Sequence, residues 1–569
     1  MKKTTWYLFS LLLFFPHSSN AASIQYDISL EKRDNQTNQL KITTTFKGNP
    51  QGITYLRLPN LYPSSTLHYA INPYSDTCTV NRTEDDNIYK VTHQPDELFY
   101  VSTYYALPMN KVKMVRMPII GDNYFAAQGY NILSTISKEP SDTIWEVQLN
   151  FSAENEEYIC FKEQCDNKKI VFNATMDELR DDFIIGGNIK YDEFIFDNHP
   201  TKIIANYELS QDADDFKLKI TQLLTTHRNF WQDHNFPNYN IMLLKLNDHE
   251  VGPYHKKTLT GTHTNGTTAI AYSTTEDNLF SDPQKHSKFM CAYSHELGHA
   301  WFGNKMLFPI PQGDIQWFFE GFNDYYGLLL AYKAKIIDYA QYLAIYNKIL
   351  TKYYLSPVKT ATNQQIFDNF DSDSIFYNIT MSRGHILAQE LLLLSHQHNF
   401  KYNILDHFIR DLIHSVNLNS EKLLLTKDDF FKKIENYFPH DMQRYIRDTV
   451  IDGKPITVSA NALGHCARLI ETKMLAPIYG FDINEFLFNQ TIVNLDSNSN
   501  AYQAGLREGD QVVDYSFNFS NLEQEVIVTT TQGDIHFYFD AQKITVPQFE
   551  LINQESPQSC INHWGFDEI

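Results

Sequence analysis

A chain of 569 residues is too long for one hydrophobic core, so roughly two to four domains are expected. Its 43% hydrophobic and 14% aromatic content supplies enough apolar surface for folded domains and excludes an extended disordered class. The formal charge of −21 repels phosphate backbones, which argues against a nucleic-acid partner.

The first residues carry an address. Lys2 and Lys3 precede an apolar run from Trp6 to Phe15, and Ser19-Asn20-Ala21 forms a small-residue exit. Residues 1–21 therefore read as a secretory signal peptide cleaved after Ala21. The apolar run is short for a bilayer, and no later stretch is long and apolar enough to span one. The expectation is an exported protein, periplasmic or secreted, with no membrane span after cleavage. Its six cysteines are then disulfide candidates. Cys160 and Cys165 are near enough to close a small loop, and Cys466 and Cys560 bracket the C-terminal region. Cys78 and Cys291 are left over, and the connectivity stays open.

From Ala22 to about residue 200 the pattern is that of strands. Ile24, Tyr26, Ile28 and Leu30 alternate with polar neighbours, as do Leu40, Ile42, Thr44 and Phe46, and again Trp145, Val147, Leu149 and Phe151. Such period-two runs predict an N-terminal antiparallel, β-sandwich-like domain over 22–200. After Asn206 the period changes: Phe216, Ile220, Leu223, Leu224 and Trp231 fall at helical intervals, closed by Pro237. Ile241 to Leu246 reads as a buried strand, so residues 201–455 are expected to form a mixed α+β catalytic domain, mostly helical. Leu259 to Thr268 is rich in glycine and threonine, and Ala269 to Ser273 looks extended. Both an edge strand along an active-site cleft and a plain hairpin fit that composition.

Asp282-Pro283 is a helix start, with an aspartate cap and proline in the first turn. Phe289, Ala292, Tyr293, Leu297 and Ala300 supply its apolar stripe, and Gly303 or Asn304 its stop. Late on this helix, His295 and His299 stand four positions apart with Glu296 directly after the first. Residues at i and i+4 share a helix face, so both imidazoles converge on one point. Asp314 is expected to cap a second helix carrying Glu320 and Asp324. Helical periodicity continues to about residue 450, including Ser382 to Gln397. Asp452-Gly453-Lys454-Pro455 reads as a linker to a β-rich module over 456–569, with strand-like runs at 491–495, 511–513, 526–530 and 535–539.

The residue types set the chemistry. His295, His299 and Glu320 form a two-nitrogen, one-oxygen set for one catalytic Zn2+, leaving a position for water. Zinc lowers the pKa of that water to roughly 7. Glu296 is placed to accept its proton as general base and pass it to the leaving amine. Asp324, one turn after Glu320, is expected to orient a ligand histidine by accepting its other ring N–H. Hydrolysis also needs a donor for the tetrahedral oxyanion, and Tyr377 and His385 are the candidates.

These residues resemble the gluzincin metallopeptidases. His295 to Asn304 is similar to the zinc helix of the large alanyl-type aminopeptidases, a group that includes the leukotriene hydrolase, and Trp317 to Tyr326 to their glutamate helix. Twenty residues separate His299 from Glu320, slightly more than those enzymes have. The overall layout resembles the glycyl aminopeptidase family, carried by Phe183-Ile184-Ile185-Gly186-Gly187, Phe236-Pro237-Asn238-Tyr239 and Ala504-Gly505-Leu506-Arg507-Glu508-Gly509-Asp510-Gln511-Val512-Val513. That resemblance implies an N-terminal β domain, a thermolysin-like catalytic domain and a C-terminal PDZ-like module, with Tyr479-Gly480-Phe481 as a degenerate carboxylate-binding loop.

Two positions depart from the family pattern. The family's substrate-facing strand carries a glutamate that holds the free amino terminus, but here Gly261 and His263 occupy that stretch, with His263 at the glutamate position. Met381 stands where the catalytic tyrosine is expected before Arg383-Gly384, and Tyr377 lies one turn earlier. The leading reading is an exported zinc metallopeptidase acting on peptides or proteins, with aminopeptidase and endopeptidase modes both open. The alternative is a catalytically weakened zinc-binding protein that acts through its β domain and PDZ-like module, the latter holding a C-terminal peptide. A non-peptide hydrolase comes third.

Overall fold

The period-two alternation near the N-terminus is realised as burial. Ile24, Tyr26, Ile28, Leu40, Ile42, Val147, Leu149 and Phe151 are each at most 2% exposed, while their neighbours along each strand face outward. The computed structural model describes residues 22–32, 38–59, 73–85, 87–105, 118–152, 157–209, 213–234, 240–247, 259–264, 266–273, 282–307, 315–370, 372–398, 400, 403–419, 423–464, 466–517 and 522–552. The signal segment, Phe236–Tyr239, the expected cap Asp314 and Cys560 lie outside them.

The chain divides into two units, the first ending at Ile189 and the second beginning at Lys190 for its main body. In the first, a five-stranded sheet runs in the order Lys169–Ala174, Trp145–Ser152, Ala22–Lys32, Asn38–Lys47, Leu98–Tyr105. It is antiparallel except where Ala22–Lys32 lies parallel to Trp145–Ser152. A second five-stranded sheet contains the wholly buried strand Phe183–Gly187, and its hairpin of Tyr158–Phe161 and Gln164–Asn167 is closed by the Cys160–Cys165 disulfide. Cys78 and Cys291 are free thiols. Cys466 is disulfide-bonded.

The unit boundary falls at residue 189 rather than 200. Lys190–Phe196 (β1) and His199–Ala205 (β2) alternate like the strands before them, so pattern alone could not separate them. Their backbone bonds decide the matter. β2 pairs in parallel with Asn240–Leu246 (β3), which pairs in parallel with Thr267–Ser273 (β5), and Leu259–Thr264 (β4) closes the edge antiparallel to β5. The resulting order is β1-β2-β3-β5-β4. The Gly/Thr-rich stretch is thus both a hairpin and an edge strand among the described residues.

Five helices of this unit bear on the site: α1 (Ala213–Trp231), α2 (Pro283–Gly298), α3, α4 (Tyr339–Leu355) and α5 (Ser374–Gln397). α3 is π-helical over Trp317–Phe322 and α-helical over Asn323–Lys333. They share one core with the sheet, including Phe216, Ile220, Leu223, Leu224 and Trp231 of α1.

The C-terminal region belongs to the same unit. The expected linker over 452–455 is bonded back to the turn before it, Asp452 N to Arg447 O and Lys454 N to Asp448 O, and the residues after it are held by side chains of α4 and α5. Ile456 N donates to Tyr353 Oη at 2.7 Å, Tyr354 Oη donates to Ile456 O, and Gln389 Nε2 donates to Ala462 O. Beyond it, Ala467–Ile478 (β6) pairs with Asp540–Leu551, and Val512–Ser516 (β7), Val526–Thr530 and Gly533–Phe537 form a three-stranded sheet. The run at 491–495 forms only a bridge from Thr491 to Gln511. Phe481 is buried and leads into a helix, Ile483–Asn489 (α6), rather than a strand.

Candidate metal centre

α2 starts as its sequence dictates. Asp282 caps it by accepting from Gln284 N and Lys285 N, with Pro283 in the first position. Its regular part ends at Gly298, earlier than the glycine at 303 suggested, and His299 is the C-cap. The backbone then tightens: His299, Ala300 and Trp301 bond three residues back, to Glu296, Leu297 and Gly298. Asp233 grips the following turn, accepting from Trp301 Nε1 at 3.0 Å and from Lys305 Nζ.

This geometry leaves the rings of His295 and His299 5.0 Å apart and nearly perpendicular. Glu320 enters from the π-helical turn of α3, a local widening often found at functional sites. Its Oε2 lies 3.4 Å from His295 Nε2 and 3.7 Å from His299 Nε2, and the three donor atoms fall within 4.8 Å of one another.

The outer ring nitrogens decide whether a metal fits. His299 Nδ1 lies 3.0 Å from Phe302 O, and a carbonyl can only accept, so Nδ1 carries the proton and Nε2 keeps its lone pair. His295 Nδ1 faces Asp324 Oδ1 at 3.4 Å. Two imidazole nitrogens and a carboxylate that is 4% exposed thus converge with their lone pairs inward, an arrangement suited to Zn2+. Burial opposes ionisation of Glu320, but the two imidazoles outweigh it and hold its carboxyl well below the usual range. Burial likewise opposes protonation of His295, yet Asp324 and Glu320 together raise its pKa well above the ordinary histidine value. The pocket favours a positive charge between these groups.

Tyr377 reaches this cluster, its hydroxyl donating to Glu320 Oε2 at 2.9 Å. His385 does not. Its ring is fully buried beside Tyr325 and Tyr346, and Nδ1 donates to Asp324 Oδ2 at 2.8 Å. It stands behind the aspartate, in a line His385–Asp324–His295.

One crossing brings these helices together. A Cβ on Gly384 of α5 would lie 2.0 Å from Trp317 O and 2.7 Å from Gly321 Cα, so the backbones of α5 and the π-turn touch. Arg383, buried beside it, donates to Lys359 O and Ala361 O, which gives the Arg-Gly pair a structural task. Sequence reasoning missed this contact, as it missed Phe302 O and Asn323, whose Nδ2 donates to His295 O at 2.8 Å. Paired glycines on adjacent helices were the only available signal for the crossing.

Gly261 on β4 is equally constrained. A Cβ there would lie 2.3 Å from Glu296 Cγ and 2.6 Å from its Oε1, so the edge strand runs directly over the glutamate. Gly261→Ala is expected to push that carboxylate aside and lower kcat by about 10²-fold. Zinc content and melting temperature should stay near the parent values, because the three atoms nearest the added methyl all belong to the Glu296 side chain, which can rotate, and none to His295, His299 or Glu320. His263, two residues on, has Nδ1 2.9 Å from Thr268 Oγ1. Burial, helped by nearby His299, pushes its pKa down to about 3, so the ring is neutral.

Residues 288–369 match the family model described as M61 glycyl aminopeptidase, a segment holding His295, Glu296, His299 and Glu320. The chain is a zinc metallopeptidase. The peptidase shares its fold with an aminopeptidase N family protein from Idiomarina loihiensis, with a TM-score of 0.69 at 15% identity over 95% of this chain and 99% of that one. A mutant M1 zinc metallopeptidase from Deinococcus radiodurans, bound to a Tyr-Ser-Ala substrate, matches with a TM-score of 0.47 at 13% identity, over 77% of this chain and 96% of that chain. No curated protein matches by sequence. No helix among the described residues is long and apolar enough to cross a membrane.

Proposed function

We propose that the peptidase is exported and hydrolyses peptide bonds with Glu296 as general base. The observation that carries this reading is the placement of Glu296 between two ligand histidines and directly beneath edge strand β4 at Gly261. His295, His299 and Glu320 hold the zinc, which when bound supplies Lewis-acid chemistry and lowers the pKa of water. Phe302 O and Asp324 hold the two imidazoles in the tautomer that offers Nε2, and His385 steadies Asp324 from behind. Glu296 takes the proton of the attacking water and delivers it to the leaving nitrogen. Tyr377, resting on Glu320, turns its hydroxyl to the oxygen that gains charge. A peptide lies extended along β4, whose outer edge offers backbone hydrogen bonds.

A neutral imidazole at 263 gives a free ammonium group no carboxylate to pair with. The proposal is therefore a peptidase of thermolysin-like fold that does not require a free amino terminus. Peptides with acetylated and free amino termini should be cleaved at rates within about threefold of each other, a factor worth under ~1 kcal/mol. Chelation should abolish turnover and added zinc restore it. Cleavage restricted to free amino termini would instead make it a strict aminopeptidase. The C-terminal module, PDZ-like in its elements, we assign to bracing the catalytic helices, since a helix follows Phe481 where a peptide-binding strand would be needed.

A further inference from the structure

We propose that Tyr515 of the C-terminal module is a positioning residue for catalysis, acting through the cap of the helix that carries Tyr377. The inference rests on the role given to Tyr377 above. Asp373 is the N-cap of α5, and its Oδ1 accepts from Ile375 N at 2.8 Å. Its other oxygen, Oδ2, accepts from Tyr515 Oη at 2.7 Å. The capping carboxylate is thereby held from both sides, once by its own helix and once by β7.

Tyr515 is itself braced. Its ring lies 5.0 Å from fully buried Phe486 and 5.1 Å from Phe517. A second contact runs parallel to the first: Phe488 of α6 sits 5.5 Å from the ring of buried Phe376, the residue before Tyr377. Tyr377 lies in the opening turn of α5, where a helix frays first because its N–H groups lack partners within the helix. Its hydroxyl must nevertheless be held beside Glu320, contributed by another helix, and within reach of the oxygen that gains charge. The module supplies what the opening turn lacks, a fixed start.

The test is a double-mutant cycle in the full-length zinc enzyme, with kcat, KM and zinc retention against a chelator as readouts. Tyr515→Phe should lower kcat about fivefold, the weight of one hydrogen bond, with KM unchanged. Asp373→Ser keeps one capping oxygen but lacks the second, Oδ2, that accepts from the phenol, and should match it. In a Tyr377→Phe background, Tyr515→Phe should have no further effect on kcat. An unchanged kcat in Tyr515→Phe, or the same fivefold loss with and without Tyr377, overturns the coupling alone. A Tyr377→Phe enzyme with parental kcat overturns the role of Tyr377, and the coupling with it.

Discussion

Glu296→Gln is expected to lower kcat by about 10²–10⁴-fold, the range for removing a positioned general base. The substitution keeps the shape of the side chain beneath Gly261 and leaves all three metal donors in place. Zinc content should therefore stay at one per chain, and KM should move little. Glutamine cannot accept the proton of the attacking water, so the loss belongs to the chemical step. Steady-state kinetics on a peptide, with metal analysis of the same sample, checks both halves. Full activity in a zinc-loaded Glu296→Gln enzyme would sink the assignment of the base.

Gly384→Ala should have the largest effect on the fold. The added methyl meets only backbone, the Trp317 carbonyl at 2.0 Å and Gly321 Cα at 2.7 Å, so no side chain can rotate away to accommodate it. Helix α5 or the π-turn must move instead. Overpacking of this kind costs about 1–3 kcal/mol and occasionally more. Here the displaced parts carry Glu320 on one side and Tyr377 on the other. The expected result is a lower melting temperature together with weaker zinc retention, measured by thermal denaturation and by dialysis against a chelator. A melting temperature equal to the parent's, with zinc retained, would show that the crossing tolerates a methyl group.

The two donor candidates on α5 show how far sequence reasoning reaches. Tyr377 and His385 lie eight residues apart on one helix, and both looked eligible to face the reacting group. Their partners separate them. Tyr377 meets Glu320 and His385 meets Asp324, four residues further along α3 and behind a ligand histidine. Only the crossing at Gly321 and Gly384 makes that distinction, and a crossing depends on side chains far apart in the chain. The unit boundary followed the same rule, since β1 and β2 read like the strands before them until their bonds to β3 were known.

The sequence by itself determined the parts that are local. Asp282-Pro283 starts a helix, two histidines four apart share its face, and Glu296 sits between them because helix geometry leaves no alternative. Glu320 and Asp324 were legible for the same reason, one turn apart on a single helix. Tertiary structure decided everything that needs two segments to meet: Phe302 O on His299, the edge strand over Glu296, and the C-terminal module against the cap of the Tyr377 helix. Short-range periodicity is written in consecutive residues, whereas long-range contact is settled by which surfaces exclude water together.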